Sequence, residues 1–344
     1  MLRPQPSRKF FQPATLLIIR PGGIGDALLL APAVNLLKMT YPQIRITILA
    51  EQRNAGAFPL IPGVDEVLCY DRLREFCRAL RGQYDAVIDT EQWYRLSAVL
   101  ARLIRAPMKI GFDTNERRRM FSHGIHYDQS AYEPDNFLAL LKPLGLDFKR
   151  HSGTVGLSIP HQSISRASQF LQQLGSGSFV VIFPGSSIPE KCWGAENFSL
   201  VAKQLAKKGL EVVIVGGRED RLDGDAIAGA GGLNLVGMTT LTETAAVIAR
   251  SSLVISGDSG VLHLAAGLGI PTVSLFGPSS VTKWAPVGSN HMVLHKDFTC
   301  SPCSKFGTIP TCPIDARCIK DITPDEVMEA IRCLLAQPAG KKKL

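Results

Sequence analysis

No apolar run in the 344-residue chain reaches the ~18 residues needed to cross a bilayer. The opening MLRPQPSRKFFQP is basic but lacks the apolar core of ~7 to 15 residues that marks a secretory signal. A soluble, cytoplasmic protein is therefore expected. Glycine and proline are not in excess: 31 and 22 residues, about 15% of the chain, fall well below the ~25 to 30% of disordered sequences. Eight cysteines in such a protein are expected to be thiols rather than a disulfide framework.

What is present is 45% hydrophobic residues and 20% charged, enough for two domains at ~100 to 200 residues each. The net charge of +8 is uneven. Residues 1–150 hold 21 Lys and Arg against 15 Asp and Glu, whereas the remainder holds 17 against 15. The basic half favours a polyanionic or membrane-surface partner, although a solvated loop explains its densest point, Arg117-Arg118-Arg119, equally well.

Apolar β-branched runs alternate with helical patterns from the start. TLLIIR (15–20), a helix from about 26 to 39, RITILA (45–50), DEVLCY, YDAVIDT and a helix around 92–105 follow one another. That succession predicts an α/β unit with a parallel sheet covered on both faces. Periodicity lapses in GLDFKRHSGTVGLSIPH, which places a domain boundary at 150/151. It resumes with FVVIFPG (179–185), a helix over 195–208, EVVIVGG (211–217), a helix over 241–250, LVISGD (253–258) and TVSLFGP (272–278). A last helix opens with Thr323 and Glu326 at capping-box spacing, and the KKKL tail is expected to be disordered. Two such units in tandem set their strand ends on either side of a ligand-binding crevice.

Between strand and helix the first unit carries RPGGIGDALLLAPAV. A dinucleotide fingerprint beginning at Gly23 and Gly25 requires a third Gly or Ala where Leu28 stands. Asp26 also places a carboxylate where a pyrophosphate would sit. Asp26 reads either as a helix cap or as a general base beside a glycine-walled opening, at Gly23 and Gly25, for an acceptor hydroxyl.

The second unit has three loops of interest. PGSSIPEKCW offers Ser186, Ser187 and Lys191 to phosphate oxygens. GGREDR offers Glu219 either to ribose hydroxyls or as a helix cap. GDSGVLHLAAG presents Asp258, Ser259, Gly260 and Val261 at a helix start suited to an anion, with His263 on the same helix. Cys300, Cys303, Cys312 and Cys318 have spacing C-x2-C-x8-C-x5-C, in which only the first pair is close, so structural thiols are expected before a metal site.

Taken in order, GGIGDALLLAPAV, FPGSSIPEKCW, GDSGVLHLAAGLGIPTVSLFGP and the CSPC segment resemble the ADP-heptose:lipopolysaccharide heptosyltransferases of glycosyltransferase family 9, nearly end to end. The resemblance implies a GT-B architecture of two Rossmann-like domains, with acceptor on residues 1–150 and nucleotide sugar on 151–344. It implies an inverting displacement with Asp26 at the base position and Lys191 at the phosphate-binding lysine. Ser186, Ser187, Glu219, Asp258, Ser259, Gly260, Val261 and His263 then bind ADP-heptose, without a metal or other cofactor. The implied acceptor is a lipid-anchored anionic core oligosaccharide at the cytoplasmic face of the inner membrane, to which Lys109, Arg117, Arg118 and Arg119 are assigned. A monomer touching the membrane surface is expected, with no nucleic-acid partner. A different nucleotide sugar, or a nicotinamide-dependent oxidoreductase, are the alternatives.

Overall fold

The computed structural model describes residues 12–147, 156–175 and 177–336. The first unit is a six-stranded sheet of β1 (Thr15–Ile19), β2 (Arg45–Ala50), β3 (Glu66–Cys69), β4 (Ala86–Asp89), β5 (Met108–Phe112) and β6 (His123–Ile125). Its strands are all parallel, in the order β3-β2-β1-β4-β5-β6. The second unit repeats this plan with β7 (Phe179–Phe183), β8 (Glu211–Ile214), β9 (Leu233–Asn234), β10 (Leu253–Gly257), β11 (Thr272–Phe276) and β12 (His291–His295). Its order, β12-β11-β10-β7-β8-β9, is the same winding read from the other edge. Two Rossmann-like α/β domains facing a central cleft constitute the GT-B architecture.

The strands are near-continuous apolar runs because both faces are covered. Leu16 and Ile18 point into one core, and Leu17 and Ile19 into another beneath helices 73–81 and 95–103. Strand order reverses between β1 and β4, and again between β7 and β10. Ligands of open α/β sheets bind at the carboxyl ends of such pairs. The loops at these four ends hold residues 20–26, 90–94, 184–191 and 258–263.

The expected helix over 26–39 is two helices, Ile24–Leu28 and Ala31–Thr40. Pro32 has no N–H to return to Leu28, so the chain re-nucleates with the proline in a first turn. The last helix, Pro324–Leu335, starts as its spacing requires, with Thr323 Oγ1 accepting from the Glu326 N–H at 3.3 Å and Glu326 Oε2 from the Thr323 N–H at 2.8 Å. The 150/151 boundary and the KKKL tail lie outside the described residues.

Candidate active site

The turn after β1 requires glycine at Gly22, whose φ is +104°. It delivers Asp26 to the third position of helix 24–28, where Oδ2 accepts from the Gly23 N–H at 3.3 Å. The cap reading of Asp26 is thus met, but the carboxylate remains only half-buried at the cleft. Opposite it stands the start of helix 260–267. There Ser259 Oγ accepts from the Leu262 N–H at 3.3 Å and lies 2.7 Å from Ser256 Oγ. With the Ser259 hydroxyl used as the cap, the groups left for an anion are the backbone N–H groups of the first turn.

These two helix starts touch. A Cβ placed on Gly25 would stand 2.8 Å from Cδ2 of His263, and one on Gly260 would stand 3.0 Å from Cβ of Ile24 and 3.2 Å from the Gly25 nitrogen. Glycine on both sides is what allows the two backbones to approach so closely.

Beside this contact lies a charged cluster. Lys191 Nζ is 2.6 Å from Asp258 Oδ2, and His263 Nε2 is 3.9 Å from Asp258 Oδ1. Burial opposes ionisation of Asp258, yet the charge and hydrogen bond of the Lys191 ammonium hold its carboxyl below the ordinary value. Burial pushes the His263 imidazole below its ordinary pKa, and Asp258 and Asp26 offset this only in part, so the ring is neutral at pH 7. Ser186 Oγ accepts from the Ile188 N–H at 3.2 Å, and Ser187 is exposed in the same loop. Val261 is buried. Glu219 is exposed, because the capping role goes to its neighbour: Asp220 Oδ2 accepts from the Gly217 N–H at 2.8 Å.

The basic residues of the first domain do not act as one patch. Arg117 is a correction: its side chain is fully buried, with Nη2 2.7 Å from the equally buried Asp89 Oδ2. Its charge serves the fold and is unavailable to an acceptor. Lys109 is a second correction. It sits near the amino end of β5, away from the cleft edge, and its ammonium caps helix 95–103 by donating to the Ile104 carbonyl at 2.7 Å. Arg118 and Arg119 are exposed.

Sequence reasoning missed a buried group that joins the domains. Tyr127 donates to Glu133 Oε2 at 2.9 Å, Asn136 Nδ2 lies 3.3 Å from the same oxygen, and Lys283 of the second domain bonds Tyr127 Oη. The signal available was modest: Glu133 and Lys283 follow the ends of β6 and β11 by eight and seven residues, and a glutamate in a first helical turn reads as a cap. A cavity of about 330 Å³ opens beside the Asp26 turn, lined by residues including Pro21, Gly22, Glu51, Tyr70, Tyr94 and Leu96.

All eight cysteines are free thiols. The loop holding Cys300 and Cys303 is tied to the strand end by Ser301 Oγ donating to the Gly277 carbonyl at 2.7 Å. Among the described residues, no three His, Cys, Asp or Glu side chains converge to hold a metal. Further along the loop Phe306 stacks on Trp93 of the first domain, ring centroids 4.4 Å apart.

The sequence profile of glycosyltransferase family 9 (heptosyltransferase) matches residues 73–312. Lipopolysaccharide heptosyltransferase 3 of Escherichia coli is 30% identical over 294 residues, covering 78% of this chain and 85% of that protein. The structure of E. coli ADP-heptose lipopolysaccharide heptosyltransferase II superimposes with a TM-score of 0.77 at 23% identity, over 94% of this chain and 99% of the other. An E. coli heptosyltransferase with ADP-2-deoxy-2-fluoro heptose gives 0.70 at 21% identity, over 92% and 99%.

Proposed function

The chain belongs to glycosyltransferase family 9, and on that premise we propose that it transfers a heptose from ADP-heptose to the inner core of lipopolysaccharide, inverting the anomeric carbon. In this reading residues 1–150 bind the acceptor and residues 151–344 the nucleotide sugar. The observation that carries it is the meeting of the Asp26 turn with the Gly260 turn across the cleft. A one-step displacement needs its base and its leaving group held on opposite sides of one carbon atom.

The acceptor hydroxyl oxygen attacks the anomeric carbon while its proton passes to the Asp26 carboxylate. The bond from that carbon to the diphosphate oxygen breaks, and its electron pair leaves with ADP. Lys191 and the N–H groups at the start of helix 260–267 meet the charge that develops there. Asp258 holds the Lys191 ammonium in place, and the diphosphate takes up positive charge already aimed at it. Neutral His263 contributes a hydrogen bond rather than a net charge. Exposed Glu219 is free for ribose hydroxyls, since Asp220 does the capping. Leaving-group stabilisation by a lysine and a helix start calls for no metal. One chain supplies both halves of the site, so a monomer suffices, and a lipid-linked acceptor places it at the cytoplasmic face of the inner membrane.

The test is ADP release from ADP-heptose with core acceptors truncated at successive sugars. Turnover with one acceptor is expected. Asp26→Ala should keep ADP binding by calorimetry and lose turnover by ~10² or more; unchanged turnover would refute the base. Silence across the whole panel with ADP still bound would move the donor to another sugar.

A further inference from the structure

Helix 95–103 buries one face and leaves a second apolar face in solvent. Ser97, Ala98, Leu100 and Ala101 are buried towards the sheet. At ~100° per residue, Leu96, Val99 and Leu103 fall within an arc of ~60° on the other side, and they are 65%, 39% and 62% exposed. Tyr94, 58% exposed, continues the stripe at the cleft end of the helix, next to Trp93, whose ring is stacked on Phe306. Scattered exposed apolar residues need no explanation, but a contiguous set on one helix does.

Charge identifies what covers it. Arg102 lies on the same exposed side of the helix, and Arg105 follows two residues past its end. Arg95 and Arg117 are committed to Glu116 and Asp89, whereas Arg102, Arg105 and Arg119 have no ion-pair partner among the described residues. An apolar stripe with a tyrosine at one end and free arginines beside it matches the boundary between acyl chains and anionic headgroups. The same helix also walls the cavity next to Asp26, through Tyr94, Leu96, Ser97 and Leu100. A surface resting on lipid here would bring that cavity to a glycan carried by the lipid.

We propose that the exposed face of residues 94–105 docks the enzyme on an anionic lipid leaflet, with Tyr94, Leu96, Val99 and Leu103 entering the headgroup boundary and Arg102 and Arg105 meeting lipid phosphates. The biological purpose rests on the lipid-linked acceptor of the preceding section. The docking itself is measurable without any substrate.

The experiment is flotation of the full-length protein with vesicles of phosphatidylcholine alone, or of phosphatidylcholine with one third phosphatidylglycerol. Binding to the anionic vesicles, weakened by salt, is expected. The pair Val99→Ser and Leu103→Ser should cut partitioning about tenfold or more, and the pair Arg102→Gln and Arg105→Gln about tenfold or more at low salt. Leu222→Ser, at an 84% exposed leucine on the second domain, should change nothing. The serine pair should keep wild-type turnover on a water-soluble acceptor and lose it on an acceptor embedded in vesicles. A wild-type protein that floats with neither vesicle overturns the proposal, as does either pair floating like wild type. So does light scattering that shows the serine pair dissociating a dimer while vesicle binding persists, since a second copy would then cover the face. Intact flotation without ADP release would instead count against the transfer reading alone.

Discussion

Glu133 of the first domain and Lys283 of the second meet across the cleft, with Nζ 3.5 Å from Oε2 and side-chain exposures of 0% and 11%. Lys283 also lies 4.5 Å from the centre of the Tyr127 ring. Burial pushes the Glu133 carboxyl above its ordinary value and the nearby Asp26 charge adds to this, while Lys283 opposes both. The pair fastens the two domains beside the proposed base.

Removing the cation should therefore be costly in a pH-dependent way. In Lys283→Met the carboxyl of Glu133 is left buried and must protonate. Its folded pKa then stands above the unfolded value near 4.5, so stability is retained below that value and lost as pH rises through the folded pKa. Urea denaturation should show a loss of order 3 kcal/mol at pH 8 and a smaller one at pH 5. Adding Glu133→Gln should flatten that pH dependence. Equal losses at both pH values, unrelieved by the second change, would show that Glu133 is not the group involved.

Gly25→Ala should separate folding from catalysis. The new methyl group would stand 2.8 Å from a ring held in a buried site, so the two helix starts must move apart. Thermal stability should fall by no more than about 1 to 3 kcal/mol, whereas kcat/KM for transfer should drop by ~10² because base and leaving group are displaced by about 1 Å. Wild-type kcat/KM would show that the contact is absent when substrate is bound.

Arginines 117 and 119 should behave oppositely. Arg117→Ala strands the buried Asp89 carboxylate and should cost about 3 to 5 kcal/mol by chemical denaturation. Arg119→Ala, at an exposed position, should stay within about 0.5 kcal/mol. If Arg117→Ala folded as stably as wild type and raised only the acceptor KM, the buried ion pair would have been misassigned.

Acid sensitivity is expected from His291, whose ring lies 2.9 Å from Thr272 Oγ1 and whose pKa burial lowers to about 4. The unfolded chain binds this proton near pH 6.5, so folding stability falls as pH drops from 6.5 towards 4 and levels off below that. The contribution is on the order of 3 kcal/mol. His291→Gln should flatten the melting temperature over that interval, and an unchanged acid limb would assign the loss to other groups.

The alternation of β-branched runs with helical patterns was sufficient to determine two parallel α/β units, because strands covered on both faces must be apolar throughout. Glycine followed by Asp26 after the first strand, and Asp258-Ser259-Gly260 after a later one, likewise marked the strand ends where a ligand can sit. Such features are local, written in the spacing of neighbouring residues. Tertiary structure decided what depends on distance in space. Arg117 and Asp89 are 28 residues apart in the chain and 2.7 Å apart in the fold, so an arginine in a basic run became a buried ion pair. Glu133 and Lys283 were ordinary charged residues until two sheets were set face to face. Helix 95–103 shows the same limit: its position was legible in the sequence, and only packing on the sheet determined that Ala98, Leu100 and Ala101 are buried while Leu96, Val99 and Leu103 stay exposed.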